Sequence, residues 1–170
     1  VGPASLRGGE ENLALDYVDR GVRAIPVRFA TSVHGAGDPN FIAMVSRAAR
    51  RRGSVPYVGD GTNRWPAVHR SDAARLLRLG LENAPAGRIL HAVAEEGITF
   101  LEIAEALAAR LGVQAESVTA EQIADEIPFV GRFMAADVPA SSAITRERLG
   151  WAPTGPTLLE DIAAGHYDQA

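Results

Sequence analysis

The chain contains no cysteine and no lysine. The first absence excludes disulfides, thiolate metal sites and cysteine nucleophiles. The second excludes a Schiff base or any lysine-dependent step within these residues, because all 17 basic residues are arginine. Long apolar runs are also missing, and no stretch reaches membrane-spanning length. The first residues show no charged-then-apolar signal pattern, which makes cytoplasm the expected compartment. Nor is there an excess of positive charge. The net charge of −4 gives no electrostatic reason to expect a phosphate backbone or an anionic lipid surface as partner.

What is present is an ordinary globular balance over 170 residues, 46% hydrophobic and 22% charged, with material for a sizeable core. That length suits one domain, or one domain plus part of another. The run Arg50-Arg51-Arg52 reads as the last turn of a helix, where cations complement the dipole. The chain begins at Val1 rather than methionine, and the expectation is a piece of a longer protein.

Periodicity predicts a helix over 5–20, with Leu6, Leu13, Ala14, Tyr17 and Val18 on one apolar side and Gly21 as its stop. A strand follows over 24–29, with Pro26 marking an edge or bulge. Glycines, Asp38 and Pro39 predict a loop over 31–40. Next come a helix over 41–52, a strand over 55–58 closed by Gly59-Asp60-Gly61, and an extended piece over 64–69. A helix capped by Ser71 or Asp72 carries Ala74, Leu77 and Leu81 on one side, widened by Leu76. A third strand is expected over 89–94. Thr99 with Glu102, Thr119 with Gln122 and Thr157 with Glu160 each read as a capping box. Strands separated by amphipathic helices favour parallel pairing in an α/β arrangement. Three short strands make a thin sheet, whose open edge is expected to associate with further strands or another copy of the chain.

Four stretches, in order, carry a resemblance. They are Gly21-Val22-Arg23 through Phe29 with Ser32-Val33-His34-Gly35; Tyr57-Val58-Gly59-Asp60-Gly61 with Arg64 to His69 and Asp72-Ala73-Ala74; Leu90-His91-Ala92-Val93 with Thr99 and Ile103-Ala104; and Leu149-Gly150-Trp151-Ala152-Pro153. Together the sequence resembles the C-terminal part of extended short-chain dehydrogenase/reductase proteins, the NAD(P)-dependent epimerase/dehydratase group. The resemblance implies the last portion of a Rossmann-type parallel sheet plus a small, mainly helical substrate domain. On that basis residues 1–98 end the sheet with its substrate loops, and residues 99–170 form a helical substrate-binding or cap region. The N-terminal half that binds the cofactor is expected to lie outside this chain, because no glycine-rich turn following a strand is present.

The resemblance further implies NAD or NADP as cofactor and a small carbonyl, alcohol or sugar-nucleotide as substrate. Phe29, Ala30, Thr31 and Ser32 fall where related enzymes present backbone to the nicotinamide. Val33, His34, Phe41, Arg64, Trp65 and His69 fall on the substrate side. Arg64 offers a guanidinium fork for anions. If Glu11 matches the family's glutamate, Arg7 stands at the family's lysine position and Pro3 at its tyrosine. Arginine can bond a ribose, but proline cannot transfer a proton, so the acid/base group comes from elsewhere or the chemistry is lost. His34 is then either a proton donor or a packing histidine with one hydrogen bond. Trp65 reads as pocket wall or core, and Asp72 as helix cap or acid. Phe129, Phe133 and Met134 read as pocket cap or core stripe. His166 and Tyr167 read as solvent-edge residues. His34, His69 and Asp72 could be read as metal ligands, but nothing in the sequence fixes a third ligand's geometry, and no metal is expected. A non-catalytic binding module derived from the same fold is the expectation of a different class, and a self-contained helix-rich domain is a third.

Overall fold

The computed structural model describes residues 8–168; Pro3, Leu6 and Arg7 lie outside the described residues. Helix α1 (Gly8–Asp16) runs into a single tight turn, Val18–Arg20, that Gly21 ends at φ 83° while donating its amide to the Val18 carbonyl. A left-handed residue is needed there, and glycine adopts it without strain. The apolar side of α1 is not buried: Leu13 and Tyr17 are exposed. What ties this helix down is Glu11, whose two oxygens accept from Arg28 at 2.8 and 2.7 Å.

Strand β1 (Val27–Phe29) is shorter than expected, and β2 (Ser32–His34) occupies the start of the segment expected to be loop. The loop signals are concentrated between Gly35 and Pro39, and three residues are too few for alternation to register. Helix α2 (Phe41–Arg52) has the expected bounds, with Ile42, Val45 and Ala49 buried. Strands β3 (Ser54–Val58) and β4 (Arg64–His69) follow.

Helix α3 (Arg70–Asn83) departs from the reading in two ways. Its cap is His69, whose ring accepts from the Ser71 amide, rather than Ser71 or Asp72. Its buried side is Ala73, Leu76 and Gly80, while Ala74, Leu77 and Leu81 face outward. Close approach decides the face: a β-carbon on Gly80 would stand 2.7 Å from Leu90, so only the small-residue side can pack on β5 (Leu90–Ala92).

Two strands escaped the sequence, β6 (Glu95–Thr99) and β7 (Gln114–Val118), on either side of α4 (Phe100–Leu111). Both are polar edges, with Ile98 and Val118 their buried residues. Helices α5 (Ala120–Glu126), α6 (Gly131–Met134), α7 (Ala143–Leu149) and α8 (Leu158–Ala163) complete the described chain. All three capping boxes form: Thr99, Thr119 and Thr157 each accept from the third helical amide, and Glu102, Gln122 and Glu160 reach back. Each satisfies two amides that would otherwise lack partners.

Instead of one thin sheet there are three small ones. The pairs β1 with β5, β2 with β4, and β3 with β7 are parallel, as the alternation of strands and helices predicts. β6 adds to β4 antiparallel, with an irregularity between Trp65 and Ala67. One apolar core gathers α2, β3, α4, α5 and α8, drawing buried residues from both sides of position 98. A second lies between β5, α3 and Trp151. The segment from Trp151 to Asp168 laces the two together. Its Thr154 and Gly155 amides donate to the buried Asp72 carboxylate at 3.1 and 2.8 Å, and Trp151 Nε1 donates to the Asp72 carbonyl.

Candidate functional site

Parallel strands deliver their carboxyl ends to the same edge, and open α/β sheets bind ligands there. The register pairs His34 with His69 at that edge of β2 and β4. Their rings meet edge to face, centroids 5.4 Å apart. His34 belongs to a strand, not a loop, and its side chain is enclosed. Nδ1 lies 2.6 Å from Asp161 Oδ2, which places the proton on Nδ1 because a carboxylate can only accept. Among the described residues Nε2 has no hydrogen-bond partner, and it lies 3.7 Å from Glu95 Oε2. Burial lowers the His34 pKa below its ordinary value, against the bond to Asp161 that favours protonation. Burial likewise raises Glu95, opposed by the Leu158 amide that its carboxylate accepts.

The sequence reading missed the carboxylate at the centre of this cluster. Asp161 sits on α8, buried, and meets His166 Nδ1 at 3.1 Å as well as His34. The one available signal was an acidic residue on the apolar side of α8, next to Leu158 and Ile162, which are both buried. One expectation for the tail is corrected and one holds. Tyr167 is enclosed, its hydroxyl donating to Asp38 Oδ2 at 3.1 Å, whereas His166 stays exposed with Nδ1 3.1 Å from Asp161 Oδ1. Tyr167 becomes interior because its carbonyl is held by Ser46 and Arg50 of α2. Asp72 is likewise neither cap nor solvent-facing acid; it is buried and holds the turn after Trp151, with Arg75 alongside.

A second group forms near the other end of β4, four residues and so about 13 Å along the strand from His69. Trp65 is enclosed, edge to face with Phe100 at 4.9 Å and against Phe41 at 5.7 Å. Phe41, Phe129 and Phe133 pack on one another with ring centroids 5.6–6.3 Å apart. Phe129 and Phe133 present about half their surface to solvent, whereas Met134 is buried. Arg64 is exposed beside this group and pairs with Asp137 through two bonds of 3.0 and 2.9 Å. The structure thus brings His34 and His69 together, and separately Phe41 and Trp65; Arg64, although next to Trp65 in the chain, is held by Asp137. Val33 is half-buried on β2, directly before His34.

Phe29 to Ser32 lie at the carboxyl end of β1 and the entry to β2. Phe29 is half-exposed, the Ala30 amide is committed to the Ala92 carbonyl, Thr31 is partly exposed, and the buried Ser32 hydroxyl has no partner. An open aromatic with an unsatisfied hydroxyl nearby fits the nicotinamide end of a dinucleotide. The Gly35–Gly37 turn does not fit its phosphates. The space that a β-carbon on Gly35 would occupy is filled by the Arg70 side chain, and the Arg70 guanidinium is spent on the Ala36 carbonyl. Separately, Thr154 to Pro156, Glu160, Asp161, Ala164 and His166 line an open cleft of about 620 Å³.

No protein-family model matches the chain. An uncharacterized protein of Schizosaccharomyces pombe is 45% identical over 92% of this chain and 53% of its own length. An uncharacterized protein of Saccharomyces cerevisiae is 43% identical over 95% and 54%. Among solved structures, dTDP-glucose 4,6-dehydratase of Streptomyces venezuelae with NAD bound matches at TM-score 0.73 and 21% identity, over 94% of this chain and 48% of that one. UDP-glucuronic acid 4-epimerase of Bacillus cereus, with UDP-glucuronic acid and NAD, matches at 0.68 and 17%, over 94% and 49%. RMD of Pseudomonas aeruginosa, complexed with NADPH, matches at 0.67 and 18%, over 99% and 62%. The chain therefore has the Rossmann-like α/β fold of these structures, which were solved with NAD or NADPH, and it spans about half the length of the curated relatives it matches.

Proposed function

We propose that these residues are the substrate-closing half of an NAD(P)-dependent oxidoreductase or epimerase of the extended short-chain dehydrogenase type, acting on a small carbonyl, alcohol or sugar-nucleotide. The observation that supports this best is the unfinished sheet. Among the described residues β1 pairs only with β5 and its Phe29 is left half-exposed, and the chain covers about half of the neighbouring structures it matches. In this reading Phe29, Ala30, Thr31 and Ser32 meet the nicotinamide end of the cofactor, and a preceding half outside these residues cradles its phosphates. The cofactor supplies the hydride donor or acceptor.

The remaining work falls to residues of this chain. Arg64 is placed to exchange its exposed pair with Asp137 for a substrate anion, since the guanidinium fork suits phosphate as well as carboxylate. The Phe41, Phe129 and Phe133 rings offer an apolar face beside it that excludes water. His34 holds no exchangeable proton at the surface; enclosed against Asp161, it fixes the end of β2 and with it the Val33 side. The proton donor of the reaction is then drawn from outside the described residues.

The test is hydride transfer by a longer protein that includes the preceding half, measured by nicotinamide absorbance across a panel of aldehydes, ketones and sugar-nucleotides. Turnover that falls on Arg64→Ala, with KM raised more than kcat is lowered, supports the reading. The 170 residues alone are expected neither to turn over nor to bind NADH or NADPH tightly, and micromolar binding by calorimetry counts against the division of labour. A longer protein that binds the dinucleotide without transferring hydride to any member of the panel fits instead a non-catalytic binding module built on the same fold.

A further inference from the structure

The loop from Gly35 to Asn40 is gripped at both ends by one segment of chain more than a hundred residues away. At its start, His34 is bonded to Asp161. At its far end, Asp38 accepts from the Tyr167 hydroxyl at 3.1 Å. The second contact is relayed. Asp38 Oδ1 accepts from the Asn40 amide at 2.9 Å, and the Asn40 carbonyl accepts from the Met44 amide in the first turn of α2. Asn40 directly precedes Phe41, whose ring closes on Trp65, Phe129 and Phe133.

Tyr167 is itself fixed. Its ring is 1% exposed, and its carbonyl accepts from Ser46 Oγ at 2.9 Å and from Arg50 at 3.0 Å, one helical turn apart on α2. The following residue, Asp168, pairs with Arg110 of α4. Burial, and then the negative charge of Asp38, push the Tyr167 hydroxyl upward, so it stays the proton-bearing partner of that carboxylate. Nothing in general packing requires a tyrosine hydroxyl here; a phenylalanine would fill the same space.

We propose that Tyr167 is a positioning residue: through Asp38 and Asn40 it sets the Gly35–Asn40 loop and the entry of α2, and so the place of Phe41 on the substrate side. That this side meets substrate rests on the reading above, but the bracing does not, and it is tested without turnover.

The experiment is amide hydrogen exchange on the chain and its variants. Tyr167→Phe keeps the ring and deletes the donor. Exchange at the Asn40 amide and its neighbours is expected to rise about tenfold, the equivalent of one lost hydrogen bond, while amides of β3 and β7 keep their rates. Asp38→Asn keeps an acceptor oxygen for the Asn40 amide and turns the other contact round, its NH2 donating to the Tyr167 hydroxyl, and is expected to stay near the parent rate. Asp38→Ala is expected to loosen the loop, and Tyr167→Phe added to it is expected to have no further effect, because the two residues then share one interaction. Unchanged exchange at Asn40 in Tyr167→Phe overturns the proposal. So does a rise of equal size in β3 and β7, which would make the hydroxyl a general stabiliser, and so does full additivity of the two substitutions. Should the longer protein transfer no hydride while these rates behave as expected, the brace stands and only the substrate assignment falls.

Discussion

The two cores of this chain differ in how completely they are enclosed. Around β3, β7, α2, α4, α5 and α8, twenty-two residues are buried, against nine around β5, α3 and Trp151. The larger core draws on four helices, α2, α4, α5 and α8, with Phe129 and Phe133 half-exposed at its margin. The smaller one opens outward: among the described residues β1 has one partner, and Phe29, Leu77 and Leu81, like Leu13 on α1 and Tyr17 just after it, show 40–68% of their surface. Apolar side chains on an amphipathic helix or a strand edge are normally covered. The difference teaches that the number of buried apolar residues follows the number of elements each core gathers.

The sharpest way to break that comparison is to cut into each core and compare the losses. Trp65→Ala removes an enclosed side chain that packs on Phe41 and Phe100; it is expected to cost about 3–5 kcal/mol in urea unfolding. Asp72→Ala acts where the two cores are laced, stranding the Thr154 and Gly155 amides. A loss of about 1–3 kcal/mol is expected, the range for leaving buried donors unpaired. A loss near zero would mean that the lacing is incidental.

Acid should act through the polar cluster at the end of β2, with a slope of no more than about 1.4 kcal/mol per pH unit for one group. His34 is held below its ordinary value of 6.5, mainly by burial. Between that value and its folded one, the unfolded chain binds the extra proton, so stability falls as the pH drops below 6.5. Glu95 acts with opposite sign. Burial raises it above 4.5, so the folded chain binds the extra proton just above that value, and stability is regained as the pH falls through that window. His34→Asn is expected to flatten the first limb in denaturant titrations at stepped pH, and Glu95→Gln the second. At the open core the expected effect is smallest. Leu77→Arg and Leu81→Arg should change unfolding free energy by no more than about 0.5 kcal/mol. A loss comparable to that at Trp65 would show that this face is already covered within the chain.

Much of the architecture was legible because it depends on near neighbours. The bounds of α2, the extended piece from Arg64 to His69 and the three capping boxes all follow from residues within a few positions of one another. Where the sequence misled, a distant partner decided. Leu77 and Leu81 make as good a helical stripe as Leu76 and Gly80, but Leu90 admits only a side without a β-carbon at position 80. β6 and β7 have too little apolar alternation to be seen, and exist because β4 and β3 offer them ladders. Within the candidate site, His34 and His69 were found by resemblance, while Asp161, Glu95 and Tyr167 were not. No spacing along a chain links residue 34 to residue 161.

By itself, then, the sequence determined which residue types are missing, the bounds of α2, the three capping boxes, the parallel α/β order and the likeness of fold. Composition and local hydrogen bonding carry that information directly. Only the tertiary structure decided which face of α3 is inside, that Asp72 is a clasp and not a cap, and that the tail returns to hold the Gly35–Asn40 loop. Those outcomes turn on which surfaces meet, and burial changes what a carboxylate, an imidazole or a phenol does once water is removed.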